Sequence, residues 1–203
     1  MKLYQSILLC LLLVLWRAPG FCSVYYVANA GSDLANGQSL STPWQTIAKV
    51  NASAFVAGDQ ILFNRGDTWN EKLIVPSSGV SGNPIIISAY GSGANPIFTQ
   101  LHQQTSWALY SGAIYKCTAS TEMGGEVRQL FQDGVRLKKV ANTGAMVAGS
   151  WCHVTTTIYV WLTDSSNPGT NHVVTYPVRK HCIDFNGKSY ITVSYIYGKY
   201  TIL

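Results

Sequence analysis

Four short apolar segments recur at a fixed spacing in the first half of the chain. They begin at Ile61, Leu73, Ile85 and Ile97, so each start lies twelve residues after the one before it. Glycine, proline, aspartate and asparagine fill the gaps, and no gap contains a helical segment. Because a βαβ unit needs a crossover helix, such units are excluded, and each strand must be followed by a sharp corner.

Two strands and two corners amount to about 24 residues, within the roughly 20 to 45 residues of a stacked solenoid unit. This count predicts that the strand at Ile61 pairs in parallel with the strand at Ile85. It also predicts that the strand at Leu73 lies beside the strand at Ile97, and that all four residues are buried. A meander of hairpins would instead place the strands at Ile61 and Leu73 antiparallel to each other.

A helix is predicted ahead of these strands, from Pro43 to Asn51. Thr42 is the expected N-cap, and Pro43 suits the first helical position because an N–H there would be unpaired anyway. Trp44 is expected to face the first coil and Lys49 to face water, so that the helix covers the open end of the stacked strands. The apolar stripe of this helix is predicted to contain Trp44, Ile47, Ala48 and Phe55.

The order of helix, Gly-Asp corner, strand and Tyr-Gly corner resembles the N-terminal cap and first coils of secreted right-handed parallel β-helix proteins, the pectate-lyase-like superfamily. The resemblance covers residues 24–98, with a weaker similarity over 127–196. It rests on the segments YYVANAGSDLANGQSLSTPWQTIAKV, VAGDQILFNRGDTW and SGNPIIISAYGSGANPIF. The fold it implies is all-β: a right-handed parallel β-helix (solenoid) with an N-terminal capping α-helix and a β-rich side excursion.

The same resemblance implies a carbohydrate-active, monomeric protein whose partner is a polysaccharide. The activity it favours is that of a polysaccharide lyase acting on acidic polysaccharide by β-elimination. A glycoside hydrolase and a non-catalytic, glycan-binding surface protein are the alternatives. Calcium is a cofactor that only this resemblance suggests. Catalytic residues of the superfamily lie on later coils, so none is assigned, and the 203-residue chain alone is expected to be inactive.

Residues 102–180 depart from the twelve-residue spacing and are predicted to form the β-rich excursion. RQLFQDGVRLKK is predicted to be a hairpin with Asp133 and Gly134 as its two-residue turn. SWCHVTTTIYVWLTD and HVVTYPV are predicted to form a sheet pair separated by a turn at residues 164–169. The solenoid pattern resumes in CIDFNGKSYITVSYIYG, whose inward-facing residues are expected to be Ile183, Phe185, Ile191 and Val193.

Residues 1–22 have the layout of a secretory signal peptide. A lysine precedes an apolar run at residues 7–15, and small residues lead to a predicted cut between Cys22 and Ser23. The run is shorter than the about 20 residues that span a bilayer, so no integral membrane segment is expected after cleavage. Residues 23–203 are predicted to be the N-terminal part of a secreted, periplasmic or cell-surface β-helix domain that is truncated at its C-terminus.

Charge is sparse and scattered along the sequence. Only 11% of the residues are charged, and the net charge is +5. Because the basic residues form no stripe, a nucleic-acid partner is not expected, whereas a polyanionic glycan is compatible. The mature chain has three cysteines, Cys117, Cys152 and Cys182, so at most one disulfide can form and the fold cannot depend on disulfides.

Arg65, Gly66 and Asp67 form a tripeptide that is known as a cell-adhesion ligand. A corner of a β-helix selects the same residue types, because glycine reaches positive φ and aspartate bonds nearby backbone groups. The structural role is therefore the preferred interpretation, and adhesion is not predicted.

Two Cys-His pairs contain metal-ligating side chains: Cys152-His153 and His181-Cys182. Adjacent strand residues point to opposite faces, so neither pair can converge on one ion. A mixed site with one residue from each pair is the metal-binding alternative. The preferred interpretation is two strand cysteines, which can be bridged to each other.

A lyase needs a group that neutralises the uronate carboxylate and a base that removes the neighbouring proton. Asp184, predicted on the same face as Cys182, and Lys180 two positions before Cys182 form the best local acid-base pair. Exposed charges of this kind more often belong to a solvated strand face, which is the preferred interpretation.

A glycosidase would need paired carboxylates, for which the sequence has no convincing candidates. Glu122 and Glu126 flank two glycines in a predicted loop, and Asp133 is expected to serve its turn. The aromatic residues of the excursion are more suggestive, because their rings can stack on sugars or form a core; the core is the preferred place for Trp151 and Tyr159. These aromatic residues are Trp107, Trp151, Tyr159 and Trp161.

Overall fold

The computed structural model describes residues 22–120, 127–178 and 181–199, and their regular structure is almost entirely β-strand. The prediction of an all-β fold is confirmed. Residues 1–21 of the predicted signal peptide lie outside these ranges, so the signal peptide stays a prediction. No helix within the described ranges is long and apolar enough to cross a membrane.

Within the described ranges the strands are accompanied by two short helical pieces, α1 (Ile47–Asn51) and a 3₁₀ turn (Thr143–Ala145). In chain order the strands are β1 (Val24–Val27), β2 (Gln60–Asn64), β3 (Thr68–Trp69), β4 (Leu73–Ile74), β5 (Ile85–Tyr90), β6 (Ile97–Thr99), β7 (Leu101–Gln104), β8 (Ala108–Ser111), β9 (Ile114–Thr118), β10 (Phe131–Gln132), β11 (Val135–Arg136), β12 (Lys138–Lys139), β13 (Ser150–Val154), β14 (Thr157–Trp161), β15 (Val174–Pro177), β16 (Ile183–Asp184), β17 (Ile191–Val193) and β18 (Tyr197–Lys199).

Three all-parallel sheets form from residues 22–99 and 181–199, which together we call the parallel region. The first has the order β1-β2-β5-β17, the second β3-β6-β18, and in the third β4 pairs with β16. Ile61 on β2 lies opposite Ile87 on β5. The predicted parallel pairing of the strands at residues 61 and 85 is therefore confirmed.

The strand that begins at Leu73 has a different partner from the predicted one. Leu73 lies opposite Ile183, whereas Ile97 lies opposite Thr68, so the predicted pairing of these two strands is wrong. The reason is the two-residue strand β3, which adds a third strand between the strands at Ile61 and Leu73. β3 pairs with β6, the strand that begins at Ile97, and so occupies the position that was predicted for the strand at Leu73. β4 is left to pair with the strand that follows the whole excursion.

The side chains enclosed by these sheets form one hydrophobic core. Ile97 is only half-buried, contrary to prediction, and its neighbour Phe98 points inward instead, with its ring centroid 4.8 Å from that of Phe63. Phe185 is also exposed rather than inward-facing, whereas Cys182, three residues before it in the chain, is buried. The predicted core residues that the structure buries fully are Ile61, Leu73 and Ile85, and those that pack partly buried against the core are Ile183, Ile191 and Val193.

The helix α1 begins four residues later than predicted. Its N-cap is Thr46, whose Oγ1 accepts a hydrogen bond from the Lys49 N–H at 3.0 Å, rather than Thr42. The backbone of Trp44 is unavailable for a helix because its N–H donates to the Tyr26 carbonyl, in a bridge that adds it to the edge of β1. Strand pairing has therefore overridden the local helix signal.

The inward face of α1 also differs in one position from the predicted stripe. Ile47 and Val50 are fully buried, and Trp44 and Phe55 flank them in the core, but Ala48 is exposed. The register of the observed helix, which starts at Ile47, turns Ala48 outward and Val50 inward.

Two asparagine side chains form hydrogen bonds with backbone groups at strand edges of the parallel region. Asn51 Nδ2 donates to the Lys72 carbonyl, and the Ile74 N–H donates to Asn51 Oδ1, both at 2.8 Å. Asn29 Nδ2 likewise donates to the carbonyl of Thr68, on β3, at 3.2 Å. These bonds satisfy backbone groups that would otherwise invite edge-to-edge pairing between molecules.

Residues 101–178, which we call the insert, form two sheets with mostly antiparallel pairing. Their orders are β11-β10-β15-β7 and β12-β13-β14-β9-β8. The predicted hairpin is confirmed: Asp133 and Gly134 both have positive φ between β10 and β11, as the tight hairpin turn requires. The predicted second pair is wrong, because β14 pairs with β13 and β9, whereas β15 pairs with β7 and β10.

The insert has its own hydrophobic core, separate from that of the parallel region. Trp151 lies at its centre and is fully buried, as predicted. Cys117 belongs to the insert core and Cys182 to the core of the parallel region, and Cys152 is buried beside Met146. All three thiols are free, so the bridge between Cys152 and Cys182 is not formed.

Candidate functional site

The solvent-facing side of the five-stranded sheet is set by the alternation of β14. Ile158 and Val160 are fully buried in the insert core, so Thr157, Tyr159 and Trp161 point to the opposite face. The prediction that Tyr159 is a core residue is therefore wrong. The short TIYVW segment has the two-residue period of a half-buried strand. This period is the sequence signal that could have shown that Tyr159 points outward.

Strand pairing places further side chains beside Tyr159 on this face. Lys116 on β9 lies directly opposite Tyr159, and Ala108 on β8 lies directly opposite Lys116. The Tyr110 ring meets the Tyr159 ring edge to face, with centroids 4.9 Å apart, and Lys116 Nζ lies 5.7 Å from the Tyr110 centroid. Sequence reasoning missed Lys116 and Tyr110, because the pairing of β8 with β9 was not predicted.

A cavity of about 350 Å³ opens on this face, and we call it the aromatic groove. Trp107 is half-buried at its edge, where Nε1 donates to the Gln104 carbonyl at 3.2 Å and fixes the ring plane. Trp161, further along the same face, donates from Nε1 to Ser165 Oγ. The groove residues are Ser106, Trp107, Ala108, Lys116, Cys117, Thr118, Thr157 and Tyr159.

The chemistry of the groove is that of two aromatic rings, several hydroxyls and one ammonium group. Burial raises the pKa of the Cys117 thiol to about 12, so this residue is not a nucleophile at neutral pH. Among the residues that the structure describes, no carboxylate lines the groove. The arrangement can therefore bind a ligand by stacking and hydrogen bonding, but it offers no acid-base pair.

A second polar cluster lies at the end of the insert, where His172 bridges two carboxylates. His172 Nδ1 lies 2.6 Å from Asp133 Oδ2, and His172 Nε2 lies 3.0 Å from Asp164 Oδ2. The hydrogen bonds to Asp133 and Asp164 raise the pKa of His172 above its ordinary value. The bond from His172 lowers the pKa of Asp164 to about 2, and that of Asp133 below its usual range. We call these three residues the histidine clamp.

The loop held by the clamp packs against the aromatic groove. A cleft of about 290 Å³ lies beside His172 and is lined by Gln103, Gln104 and residues 168–173. A Cβ placed on Gly169 would lie 3.9 Å from Cδ1 of Trp107, so there is little space between this loop and the indole. The segment from Gln103 to Ala108 lines both cavities.

The predicted acid-base pair is not assembled as expected. Asp184 is partly exposed whereas Cys182 is buried, so the two do not share a face. Asp184 Oδ2 instead accepts from Lys72 Nζ at 2.6 Å, and this bond is the main reason why the pKa of Asp184 is lowered. Lys180 lies outside the described residues, as do Glu122 and Glu126.

The remaining seven of the nine carboxylates are all engaged in hydrogen bonds. Five of them accept from backbone N–H groups in the parallel region: Asp33, Asp59, Asp67, Glu71 and Asp184. Asp133 and Asp164 belong to the histidine clamp. A general acid requires a raised pKa, whereas the pKa values of Asp133, Asp164 and Asp184 are lowered.

The mixed metal site with one residue from each Cys-His pair is not formed by the described residues. Cys152 Sγ faces Met146 Sδ at 3.9 Å, and Cys182 Sγ donates to the Phe98 carbonyl at 3.0 Å. Within the described ranges no three His, Cys, Asp or Glu side chains are placed to hold a metal ion. The described residues therefore do not fit the calcium that the superfamily resemblance suggests.

The Arg65-Gly66-Asp67 tripeptide forms a corner, as preferred from the sequence. Asp67 Oδ2 accepts from the Asn29 N–H at 2.8 Å, and the Arg65 guanidinium lies 5.2 Å from the ring of Tyr195. Gly66 has φ of 88°, which glycine adopts without strain. Both charged side chains are therefore used within the fold.

No protein-family model matches the chain. A lacto-N-biosidase of Bifidobacterium longum subsp. longum is 40% identical over 74 residues, which cover 34% of this chain and 5% of the relative. The structure of XylC in complex with xylose has a TM-score of 0.65 at 22% identity, covering 84% of this chain and 34% of XylC. A glycoside hydrolase structure has a TM-score of 0.58 at 12% identity, covering 89% and 51%.

These similarities define the fold more firmly than they define the activity. The chain spans only 5% of the curated relative, and about a third and a half of the two structures. At identities of 22% and 12% the structural likeness concerns the fold alone. The proteins that this chain resembles are carbohydrate-active, and a lyase reaction has no support among these three.

Proposed function

We propose that this chain is the framework and sugar-binding portion of a secreted carbohydrate-active protein of the glycoside hydrolase type. The observation behind this proposal is the aromatic groove, which combines the rings of Trp107 and Tyr159 with the hydroxyls of Thr118 and Thr157. Export is proposed from the N-terminal sequence, whose apolar run at residues 7–15 resembles a signal peptide.

The parallel region is proposed to be the start of a right-handed parallel β-helix. β2, β3 and β4 follow one another along the chain, and each has a parallel neighbour in the next turn: β5, β6 and β16. β17 and β18 then continue beside β5 and β6. This repeated order of three strands supports a coil in which the insert interrupts the second turn between β6 and β16.

A sugar suits the aromatic groove because it has two kinds of surface. The C–H face of a pyranose packs on an aromatic ring, as on Tyr159 or Trp107, and its hydroxyls bond polar side chains at the ring edge. A cavity of about 350 Å³ is at the small end of ligand sites and suits one or two sugar units. The groove therefore favours recognition of a short stretch of glycan.

Binding without cleavage is proposed for the chain by itself. Every described carboxylate is committed to a hydrogen bond elsewhere, and none of them lines the groove. β-Elimination is not proposed, because Asp184 is paired with Lys72 and none of the three similar proteins described above is named as a lyase. A non-catalytic glycan-binding surface protein is the second candidate, favoured by the same groove.

Titration with a neutral oligosaccharide tests this proposal. We expect xylotriose to bind the purified chain, and Tyr159→Ala to weaken the binding about 3- to 10-fold, the range of one aromatic contact. The control is Tyr197→Ala, which removes an exposed ring from β18 in the parallel region and should leave the affinity unchanged. Calorimetry measures both, and a reducing-sugar assay should detect no hydrolysis.

Three results would contradict the proposal. Affinity that is equal in the wild type and Tyr159→Ala would remove the groove from the binding site. Reducing sugar released by the purified chain would replace the binding role with a catalytic one. If neither xylotriose nor its acidic derivatives bind at millimolar concentration, sugar recognition by this chain is wrong.

A further inference from the structure

The sheet that forms the aromatic groove has an uneven distribution of charge. Its five strands, β8, β9, β12, β13 and β14, contain three lysines and no aspartate or glutamate. Lys139 is already engaged, because its ammonium lies 5.3 Å from the Trp151 ring centroid and bonds the Val127 carbonyl. Lys138 lies on the edge strand β12, so Lys116 is the lysine that lines the groove.

Lys116 is held against aromatic rings rather than against a carboxylate. Its backbone lies opposite Tyr159, and its ammonium lies 5.7 Å from the Tyr110 ring centroid. None of the described carboxylates forms an ion pair with it; the described ion pairs involve Lys72 and His172. A cation over an exposed ring keeps most of its charge available to a ligand, because a cation–π contact does not neutralise it.

We infer that the aromatic groove selects an anionic glycan, one whose sugar bears a carboxylate or sulfate that pairs with Lys116. This inference rests on the proposed function, since it names the substrate class of the same groove. A pyranose that stacks on Tyr159 places its ring substituents at the rim, beside the residue that lies opposite Tyr159 in the sheet. Lys116 occupies that position, so an acidic substituent there meets the one ammonium of the groove.

The expected preference is modest because Lys116 is exposed. An exposed ion pair contributes about 0.2 to 1 kcal/mol, which corresponds to a preference of up to about fivefold for the acidic glycan. The preference should shrink as salt is added, because ions screen exposed charges over about 8 to 10 Å at ordinary ionic strength. A neutral contact, such as a hydrogen bond to a sugar hydroxyl, would not respond to salt in this way.

The test compares three matched oligosaccharides: xylotriose, a glucuronate-substituted xylotriose and a sulfated xylotriose. The measured quantity is the ratio of each acidic affinity to the neutral affinity, for the wild type, Lys116→Met and Lys138→Met. We expect a ratio of about three to five for the wild type and Lys138→Met, and a ratio near one for Lys116→Met. Melting temperatures establish that all three proteins are folded, and the larger acidic ratio identifies the preferred anionic group.

The outcomes separate this inference from the function on which it rests. A wild type that binds xylotriose but shows no preference for either acidic glycan overturns the inference and leaves sugar binding intact. A preference that survives in Lys116→Met, or that is lost equally in Lys138→Met, also overturns it. Binding of none of the three glycans overturns both, whereas a salt-sensitive preference that depends on Lys116 supports both.

Discussion

The parallel region and the insert differ in the pairing that completes their sheets. In the parallel region β4 pairs with β16 and β5 with β17, so each pair joins stretches of chain on either side of the insert. In the insert, β8 with β9, β10 with β11, and β13 with β14 are hairpins between successive strands. Local pairs form at a low entropic cost of loop closure, whereas the pairs that β16, β17 and β18 form with β4, β5 and β6 require the insert to bring its two ends together.

This difference matters for function because the aromatic groove lies on the insert, beside the β8–β9 and β13–β14 hairpins. The two regions have separate hydrophobic cores, one around Phe63 and one around Trp151. The insert can therefore vary its exposed face without disturbing the parallel sheets. The carboxylates of the parallel region bond its own backbone, so this region serves as a frame and the insert provides the candidate binding surface.

The largest expected effects come from removing one tryptophan from each core. Trp44→Ala and Trp151→Ala should each lower the free energy of unfolding by about 3 to 5 kcal/mol, because each deletes a buried ring. Hydrogen exchange followed by mass spectrometry should show that Trp44→Ala weakens protection mainly in the parallel region. Trp151→Ala should weaken it mainly in the insert.

A control and a contrary result make this comparison decisive. Lys49→Ala, which removes the ammonium of a partly buried lysine 5.7 Å from the Trp44 ring, should change the unfolding free energy by no more than about 0.5 to 1 kcal/mol. If both tryptophan variants expose the whole chain equally, the two cores unfold as one unit, and the division into frame and binding surface is wrong.

A smaller effect is expected at the edge of the parallel region. Asn51→Asp keeps the acceptor for the Ile74 N–H but replaces the donor to the Lys72 carbonyl with a carboxylate oxygen. The unpaired carbonyl should cost about 1 to 3 kcal/mol in a chemical denaturation experiment, and light scattering should reveal association through β4. The same change at the exposed turn residue Asn83 should cost less than about 0.5 kcal/mol. Equal effects at both positions would mean that Asn51 does not protect the edge.

The sequence predicted features that depend on neighbouring residues. The apolar segments at Ile61 and Ile85 form strands because alternating buried side chains and flanking turns specify them locally. The Asp133-Gly134 hairpin was predictable for the same reason, since two positive φ values fit few residue types. The burial of Trp151 followed from its size in a β-rich segment.

Partners that are distant along the chain could not be predicted. β3 has only two residues, too few for a recognisable pattern, yet it decides that β4 pairs with β16. The aromatic groove and the histidine clamp depend on the same kind of information, because their residues come from separate strands and loops. His172 shows this most clearly, since nothing near it in the sequence identifies Asp133 as its partner.

The smallest expected effect concerns the histidine clamp, which holds a loop of the insert by ion pairs, whereas the Asn51 bonds at the edge of the parallel region are neutral. Both ring nitrogens of His172 face carboxylate oxygens, so the ring must be protonated to donate to both. Because its folded pKa is raised, this stabilisation is complete below the ordinary pKa of about 6.5 and is lost as pH rises through the folded value. The stabilisation from the two carboxylates is complete above their ordinary pKa of 3.8. It is lost at acidic pH, as the pH falls through the lowered pKa of Asp133 and through that of Asp164, which is about 2.

The clamp should therefore be complete between about pH 4 and pH 6.5, and melting temperatures across pH 3 to 9 test this. We expect the difference between the wild type and His172→Gln to be largest in that window and to diminish on both sides. The rate of amide hydrogen exchange near residue 173 should change over the same pH range as the melting-temperature difference, because Asp133 also accepts from the Val173 N–H at 2.8 Å. His181→Gln, a change at an exposed histidine of the parallel region, should follow the wild-type profile. A difference that stays constant from pH 4 to pH 9 would mean that His172 acts through packing, and the contrast between the ionic clamp and the neutral Asn51 bonds would be lost.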